Sequence, residues 1–198
     1  MRFFEVLMLN IISYNTAWPQ EFATIAQQLR AALGNLALRI DHIGSTSVPG
    51  LAAKDIIDVQ VTVQDFTHTA QLIDILSSLG YTWIERITGD HVPPNYQGAE
   101  TDWQKIVFRH PTTQRPTNLH VRAQGRPNQR YPILFRDYLR AHPVASAAYA
   151  QIKQALSQRH PDDVDFYYDI KDPLCDIVIE AAYDWAHTTN WQPGPSDG

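Results

Sequence analysis

DHIGSTSVPGLAAKDIIDVQV, residues 41–61, is the stretch on which the reading of this chain turns. It follows a short alternating apolar segment (Leu36, Leu38, Ile40), breaks into Gly44-Ser45-Thr46-Ser47, turns again at Pro49-Gly50, and resumes after Lys54 as Ile56-Ile57-Asp58-Val59-Gln60-Val61. Small and hydroxyl residues beside a glycine let backbone amides approach an anion, because no bulky side chain shields them. Asp58 is different in kind: a carboxylate inside a run of β-branched residues. Burying that charge costs several kcal/mol unless a partner is supplied, and a metal ion is one such partner. A phosphate-sized loop followed by a strand-borne carboxylate points to a nucleotide-and-metal site. The competing reading is a structural Asp58 paired with Lys54 or an arginine.

A Gly-Ser pair followed by an Asp on the next strand resembles the way the nucleotidyltransferase superfamily places its phosphate loop and first metal carboxylate. The fuller string His42–Lys54, with Ile57-Asp58, is similar to the GrpB branch (UPF0157), which also occurs as a domain appended to some bacterial dephospho-CoA kinases; the similarity runs from about Ile11 to Trp185. The resemblance implies an α/β (α+β) fold of nucleotidyltransferase type, a mixed sheet with flanking helices and a helical C-terminal part. It does not fix an activity, since the branch has no well-defined reaction.

With 198 residues, 44% of them hydrophobic, the chain is long enough for one domain with a sizeable core. We expect that domain over residues 1–187 and a loose tail over 188–198, where Pro, Gly and polar residues accumulate. The formal charge of −5 disfavours a generic nucleic-acid or anionic-membrane binder. One cysteine excludes an intrachain disulfide and accords with a cytoplasmic location. Residues 1–13 superficially resemble a signal peptide, but Glu5 and Asn10 interrupt the apolar run, so they read as a short extension leading into a strand. No stretch approaches the roughly 20 apolar residues of a membrane-spanning helix.

Taken in order, Asn15 or Thr16 can cap a helix holding Pro19 in its first turn and Phe22, Ile25, Ala26, Leu29 and Leu33 at helical spacing, ended by Gly34. Leu36–Asp41 reads as the first strand and Ile56–Val63 as the second. In the second, Ile57, Val59, Val61 and Val63 share one face and Asp58 and Gln60 the other. Asp65 reads as the cap of a helix with Leu72, Ile75, Leu76 and Leu79 as its stripe. Tyr81–Ile87 reads as a strand, Thr88–Thr101 as a loop long enough to suspect function, and Trp103–Arg109 and Asn118–Ala123 as further strands. From Tyr131 the pattern is helical, with Pro143 in a first turn and Asp172-Pro173 interrupting the last helix.

The candidate site follows. Gly44, Ser45, Thr46 and Ser47 form the phosphate loop, with Ser47 alternatively a helix N-cap. The resemblance makes Asp58 the first metal carboxylate and expects a second one two residues on, where this chain has Gln60. It expects a third on a later strand, where Asn118-Leu119-His120-Val121-Arg122 is found. Two-metal transfer uses carboxylates that bridge ions about 4 Å apart. Asp58, Gln60 and His120 could still hold one divalent ion, Mg²⁺ or Mn²⁺ in a transfer reaction, or His120 could act as a general base; the bland reading is a strand histidine without a role. Seven arginines against one acid lie between Arg109 and Arg140, which suggests an anion-binding surface, with Arg122 and Arg136 foremost. Lys54 belongs to the same string, and the resemblance aligns Lys171 with a helix lysine that touches a nucleotide phosphate. The function implied is binding of a nucleotide or other phosphorylated small molecule, with metal-dependent nucleotidyl transfer as the enzymatic form. A non-catalytic nucleotide-sensing or interaction module is the alternative, and RNA binding is disfavoured by the acidic balance. A Walker P-loop, a zinc-finger spacing and a Gly-x-Ser-x-Gly nucleophile elbow are all missing, and Cys175 reads as packing. The oligomeric state is not encoded in any motif.

Overall fold

The structure, a computed structural model, describes residues 9–94, 96–110 and 114–198; the reading of residues 1–8 as an extension lies outside them. The strands are β1 (Arg39–Ile43), β2 (Ile57–Val63), β3 (Thr82–Trp83), β4 (Ile106–Arg109) and β5 (Thr117–Ala123). They form one mixed sheet in the order β1-β2-β5-β4-β3, with β2 and β5 parallel and the other pairs antiparallel. The helices are α1 (Trp18–Leu33), α2 (Thr69–Ser78), α3 (Pro127–Ala141), α4 (Pro143–Arg159) and α5 (Val164–Thr189). This is the α/β architecture expected: a mixed sheet, flanking helices and a helical C-terminal part.

Side-chain alternation divides the sheet into two unlike faces. Ile57, Val59, Val61 and Val63 of β2, with Leu119 and Val121 of β5 and Phe108 of β4, pack against Phe22, Ile25 and Leu29 of α1 and Leu72 and Leu76 of α2. At about 25 cal/mol per Å² of apolar surface, this continuous layer is the main favourable contribution to folding. The opposite face carries Asp58 and Gln60, in register with Asn118 and His120. Helix α3 crosses it, and α4 and α5 pack on α3 around two smaller apolar clusters. The face that should be covered by apolar helices is polar, and the candidate site lies there.

Several elements differ from expectation. Residues Gly34–Leu36 form a 3-10 turn, and β1 starts only at Arg39. Helix α1 begins at Trp18, after Asn15 Oδ1 has accepted the Ala17 amide in a turn rather than as a helix cap. Asp65 likewise accepts the Thr67 amide at 2.8 Å, and α2 starts beyond it at Thr69. Of the expected strand Tyr81–Ile87, only Thr82 and Trp83 pair, because β3 is an edge strand with a single neighbour. Pro173 does not break the last helix: α5 runs unbroken for 26 residues from its Asp163 cap, whose Oδ1 accepts the Phe166 amide. Residues 191–198, expected to be loose, lie against the outer edge of β1. There Ser196 Oγ bonds the Ile40 backbone, Asp197 accepts the His42 amide at 2.9 Å, and Arg39 reaches the Gly194 carbonyl. An edge strand presents unpaired amides and carbonyls, and this segment satisfies three of them in β1.

Candidate functional site

At the end of β1 the chain turns through Gly44, with φ +70° and ψ −173°, into a 3-10 turn over Ser45–Ser47. A side chain at Gly44 would collide with the Asp58 carboxylate, so the loop backbone lies directly on that group. The loop is fixed from three sides. His42 stacks flat on Phe22 with ring centroids 4.6 Å apart, and its Nε2 meets Thr46 Oγ1 at 3.0 Å. Ser47 Oγ donates to the Gly44 carbonyl at 2.5 Å, and Arg140 donates twice to the Ser47 carbonyl. Burial pushes the His42 imidazole down to about 4, so the ring that braces the loop is neutral. Thr46 and Ser47 are buried and spend their hydroxyls internally; the N-cap reading of Ser47 is set aside. Ser45 turns the other way. Its Oγ accepts a hydrogen bond from Lys153 Nζ at 2.8 Å.

Asp58 stands at the floor of the cleft beside this loop. Its Oδ1 accepts from Asn118 Nδ2 at 2.9 Å, and His120 Nε2 is 3.9 Å away, close enough for charge interaction but beyond hydrogen bonding. Burial alone would raise this carboxyl; neighbouring His120, Asn118 and Lys171 hold it below its ordinary value. Burial pushes His120 down, and Arg122 and Lys105 add to this, so its ring is held toward the neutral form. Its Nδ1 is buried with no partner among the described residues.

Three lysines border the same cleft. Lys153 of α4 is almost fully buried, bonding Ser45 Oγ and the Ala52 carbonyl at 2.7 Å, with its ammonium 4.7 Å from the Tyr149 ring centre. Burial and then the charge of Lys171 lower it to about 7. Lys54 sits over Tyr167 and Tyr168, at 4.4 and 5.0 Å, and burial followed by Lys171 lowers it to about 8. Lys171 lies inside α5 rather than at a helix break, its nearest carboxylate oxygen being Asp172 Oδ1 at 3.7 Å. Although burial opposes it, neighbouring Cys175, Asp172 and the two tyrosines raise it above the ordinary lysine range. Each of these lysines acts on Asp58 through its charge or is acted on by it.

The remaining sequence-derived candidates are engaged within the fold. Gln60 is fully buried, donating to the Gln129 carbonyl at 2.9 Å and accepting from Arg122 Nη1 at 2.8 Å, so its amide oxygen faces a cation. Arg122 clamps Asp90 with two bonds of 2.8 and 2.9 Å. Arg136 bonds Asp137, Asp197 and the His42 carbonyl. Neither presents its guanidinium to the cleft. Elsewhere in the arginine-rich segment, Arg115 pairs with Glu21 and Asp55, Arg126 bonds the Thr101 carbonyl and Arg130 stacks on Trp191, whereas Arg140 holds the loop at Ser47 and Arg109 acts on Lys54 through its charge. The carboxylates of Glu21, Asp55, Asp90 and Asp197 that pair with Arg115, Arg122 and Arg136 come from distant parts of the chain, which a local charge count does not register.

Two groups central to the arrangement were missed. Lys153 follows Tyr149 by four positions, on the buried stripe Ser146-Tyr149-Lys153-Ser157 of α4; an ammonium on a buried stripe is a readable signal. Asp90 sits in an irregular loop and carries no such signal, yet Arg122, Lys105 and Asn128 all converge on it.

A mixed five-stranded sheet with flanking helices, whose first strand ends in a glycine-serine loop laid over a carboxylate on the second, defines an α/β protein with one polar sheet face. More particularly, the family model described as GrpB protein matches residues 8–181, and the chain belongs to that family. It is 36% identical over 197 residues to a dephospho-CoA kinase of Mycolicibacterium paratuberculosis, covering 93% of this chain and 48% of that protein. It is 34% identical over 175 residues to the UPF0157 protein BH1888 of Halalkalibacterium halodurans, covering 88% and 82% respectively. The crystal structure of the conserved protein GrpB from Enterococcus faecalis superposes with a TM-score of 0.73 at 29% identity, over 87% of this chain and 96% of that one. The chain spans about half the length of the dephospho-CoA kinases it matches. Among the described residues no helix is long and apolar enough to cross a membrane.

Proposed function

We propose that this protein binds a nucleotide or other phosphorylated small molecule, with its phosphates against Ser45 and the ammoniums of Lys54, Lys153 and Lys171. One observation carries the reading. Three lysines meet beside a glycine-serine loop, and among the described residues neither Lys54 nor Lys153 forms an ion pair with a carboxylate. Three ammoniums around the carboxylate of Asp58 leave positive charge in excess, and an incoming polyanion relieves it. Hydrogen bonds from charged donors contribute about 1.5–3 kcal/mol each, so three can orient a phosphate chain.

Binding is favoured over nucleotidyl transfer by the fate of position 60. Position 60 carries an amide where bridging metals require a second carboxylate, and that amide is tied to Arg122 and Gln129. The similarity to half of a dephospho-CoA kinase makes dephospho-CoA and ATP the first ligands to try. Calorimetric titration of ATP, UTP, dephospho-CoA and tripolyphosphate should give saturable binding, weakened at least about tenfold in Lys171→Gln or Lys54→Gln, as expected for one lost charge-assisted bond. If short RNA binds more tightly than all of these, with a steep loss of affinity on adding salt, the small-molecule reading is wrong.

A further inference from the structure

Resting on that reading, we propose that the cleft takes its phosphorylated ligand as a free anion, without a divalent cation, the three lysine ammoniums supplying the neutralisation that a metal supplies in transfer enzymes. The donors available to a metal argue for this first. Mg²⁺ and Mn²⁺ sites of that kind are built from carboxylate oxygens. The polar face of the sheet offers Asp58, and Asn118 already donates to one of its oxygens. Gln60 Oε1 faces the guanidinium of Arg122, so a cation occupies the side on which a second metal ligand would have to act. Asp41, opposite Gln60 on β1, has both oxygens on Arg39, and Asp90, behind this face, has both engaged by Arg122, Lys105 and Asn128. What remains is one carboxylate and the His120 imidazole. Among the described residues no group of three or more His, Cys, Asp or Glu side chains is placed to hold a metal.

The cationic groups argue for it independently. A dication at Asp58 would sit among three ammoniums, and each would repel it. A phosphate chain is attracted to the same three. Lysine suits the role, as a compact charge with three donors. Lys153 uses two of its donors on Ser45 Oγ and the Ala52 carbonyl, and its buried charge stands behind the Ser45 hydroxyl. Lys54 is backed by the faces of Tyr167 and Tyr168, which hold an ammonium by cation–π attraction without satisfying its donors. Asp58 then has a different task from metal binding: it is the shared counter-charge that keeps the lysines together while the cleft is empty.

The test is calorimetry of the full chain with ATP and with tripolyphosphate, in EDTA and in excess MgCl₂, together with the electron paramagnetic resonance signal of free Mn²⁺ titrated with protein alone. Binding should be as tight or tighter in EDTA, because Mg²⁺ competes with the lysines for the phosphates, and the Mn²⁺ signal should not fall. The double variant Lys54→Gln/Lys171→Gln, which alters partly exposed groups and leaves buried Lys153 in place, should lose at least about tenfold in EDTA. Binding that vanishes in EDTA and returns with Mg²⁺ or Mn²⁺ overturns the metal-free inference while leaving phosphate recognition intact. So does a Mn²⁺ signal that falls with wild type and not with Asp58→Asn. No binding in either condition removes the phosphate reading itself, and this inference with it.

Discussion

Asp90 shows at the level of a single residue how this fold protects its polar face. Its Oδ1 accepts from Lys105 at 2.6 Å and Arg122 at 2.9 Å, and its Oδ2 from Arg122 at 2.8 Å and Asn128 at 3.0 Å. One loop carboxylate thus ties β4, β5 and α3 together behind the cleft, and Arg122 passes the constraint on to Gln60. Removing it would strand two mostly buried cations. Breaking one partner of such a network costs about 3–5 kcal/mol, and Asp90→Ala should show that loss as a lower midpoint in urea denaturation. The sign of its pH dependence is also fixed. Burial opposes ionisation, but Arg122 and Lys105 overcome it and hold the carboxyl far below its ordinary value. Its stabilising contribution is therefore fully present above about pH 4, the usual aspartate value, and is lost as pH falls from there through the folded value. Acid unfolding that starts at the same pH in wild type and Asp90→Ala would contradict this account.

Among the elements, α5 departs furthest from its sequence pattern. A proline within a helix removes one backbone bond and crowds the preceding turn, which is why Asp172-Pro173 reads as a break. The helix continues because it buries Tyr167, Ile179, Ala182 and Ala186 against its neighbours and packs along α3 and α4. Pro173 is exposed, so Pro173→Ala removes no core contact and restores a donor. It should stabilise the protein by about 1–3 kcal/mol, measured as a higher urea midpoint. The same contrast explains what the sequence could and could not disclose. Period-two alternation in β2 and β5 placed Asp58, Gln60 and His120 on one face because a strand's own pleat fixes that relation. The tripeptide Gly44-Ser45-Thr46 was legible as a loop because only glycine can lie over Asp58 with φ positive. The roles of Arg122 and Arg136 were not legible, since their partners Asp90 and Asp197 lie 32 and 61 positions away. Lys153, an ammonium on the buried stripe of α4, was legible in the same way and is absent from the candidates drawn from the sequence.

At the scale of the whole molecule, the sheet separates two kinds of energy. Its apolar face supplies the core, and its polar face holds an excess of positive charge over Asp58 between β2, α4 and α5. Stored charge makes folding and binding respond oppositely to pH. Lys153 and Lys54 are lowered to about 7 and about 8, by burial first and the charge of Lys171 second, against about 10.4 in an unfolded chain. Between pH 7 and 10 the unfolded chain therefore binds more protons at these sites than the folded one, and stability rises with pH; below about 7 their unfavourable contribution is fully present. Anion binding runs the other way, because it needs the ammonium forms and draws protons onto lysines that have released them. Affinity for tripolyphosphate should accordingly fall between pH 7 and 9 while the thermal midpoint of the free protein rises, and Lys153→Met should flatten that rise. Near pH 8 the binding reaction should take up protons, which calorimetry in two buffers of different ionisation enthalpy reads directly. Buffer-independent heats together with a flat affinity across this range would mean that the lysines are already charged in the free protein, and that the cleft stores no such repulsion.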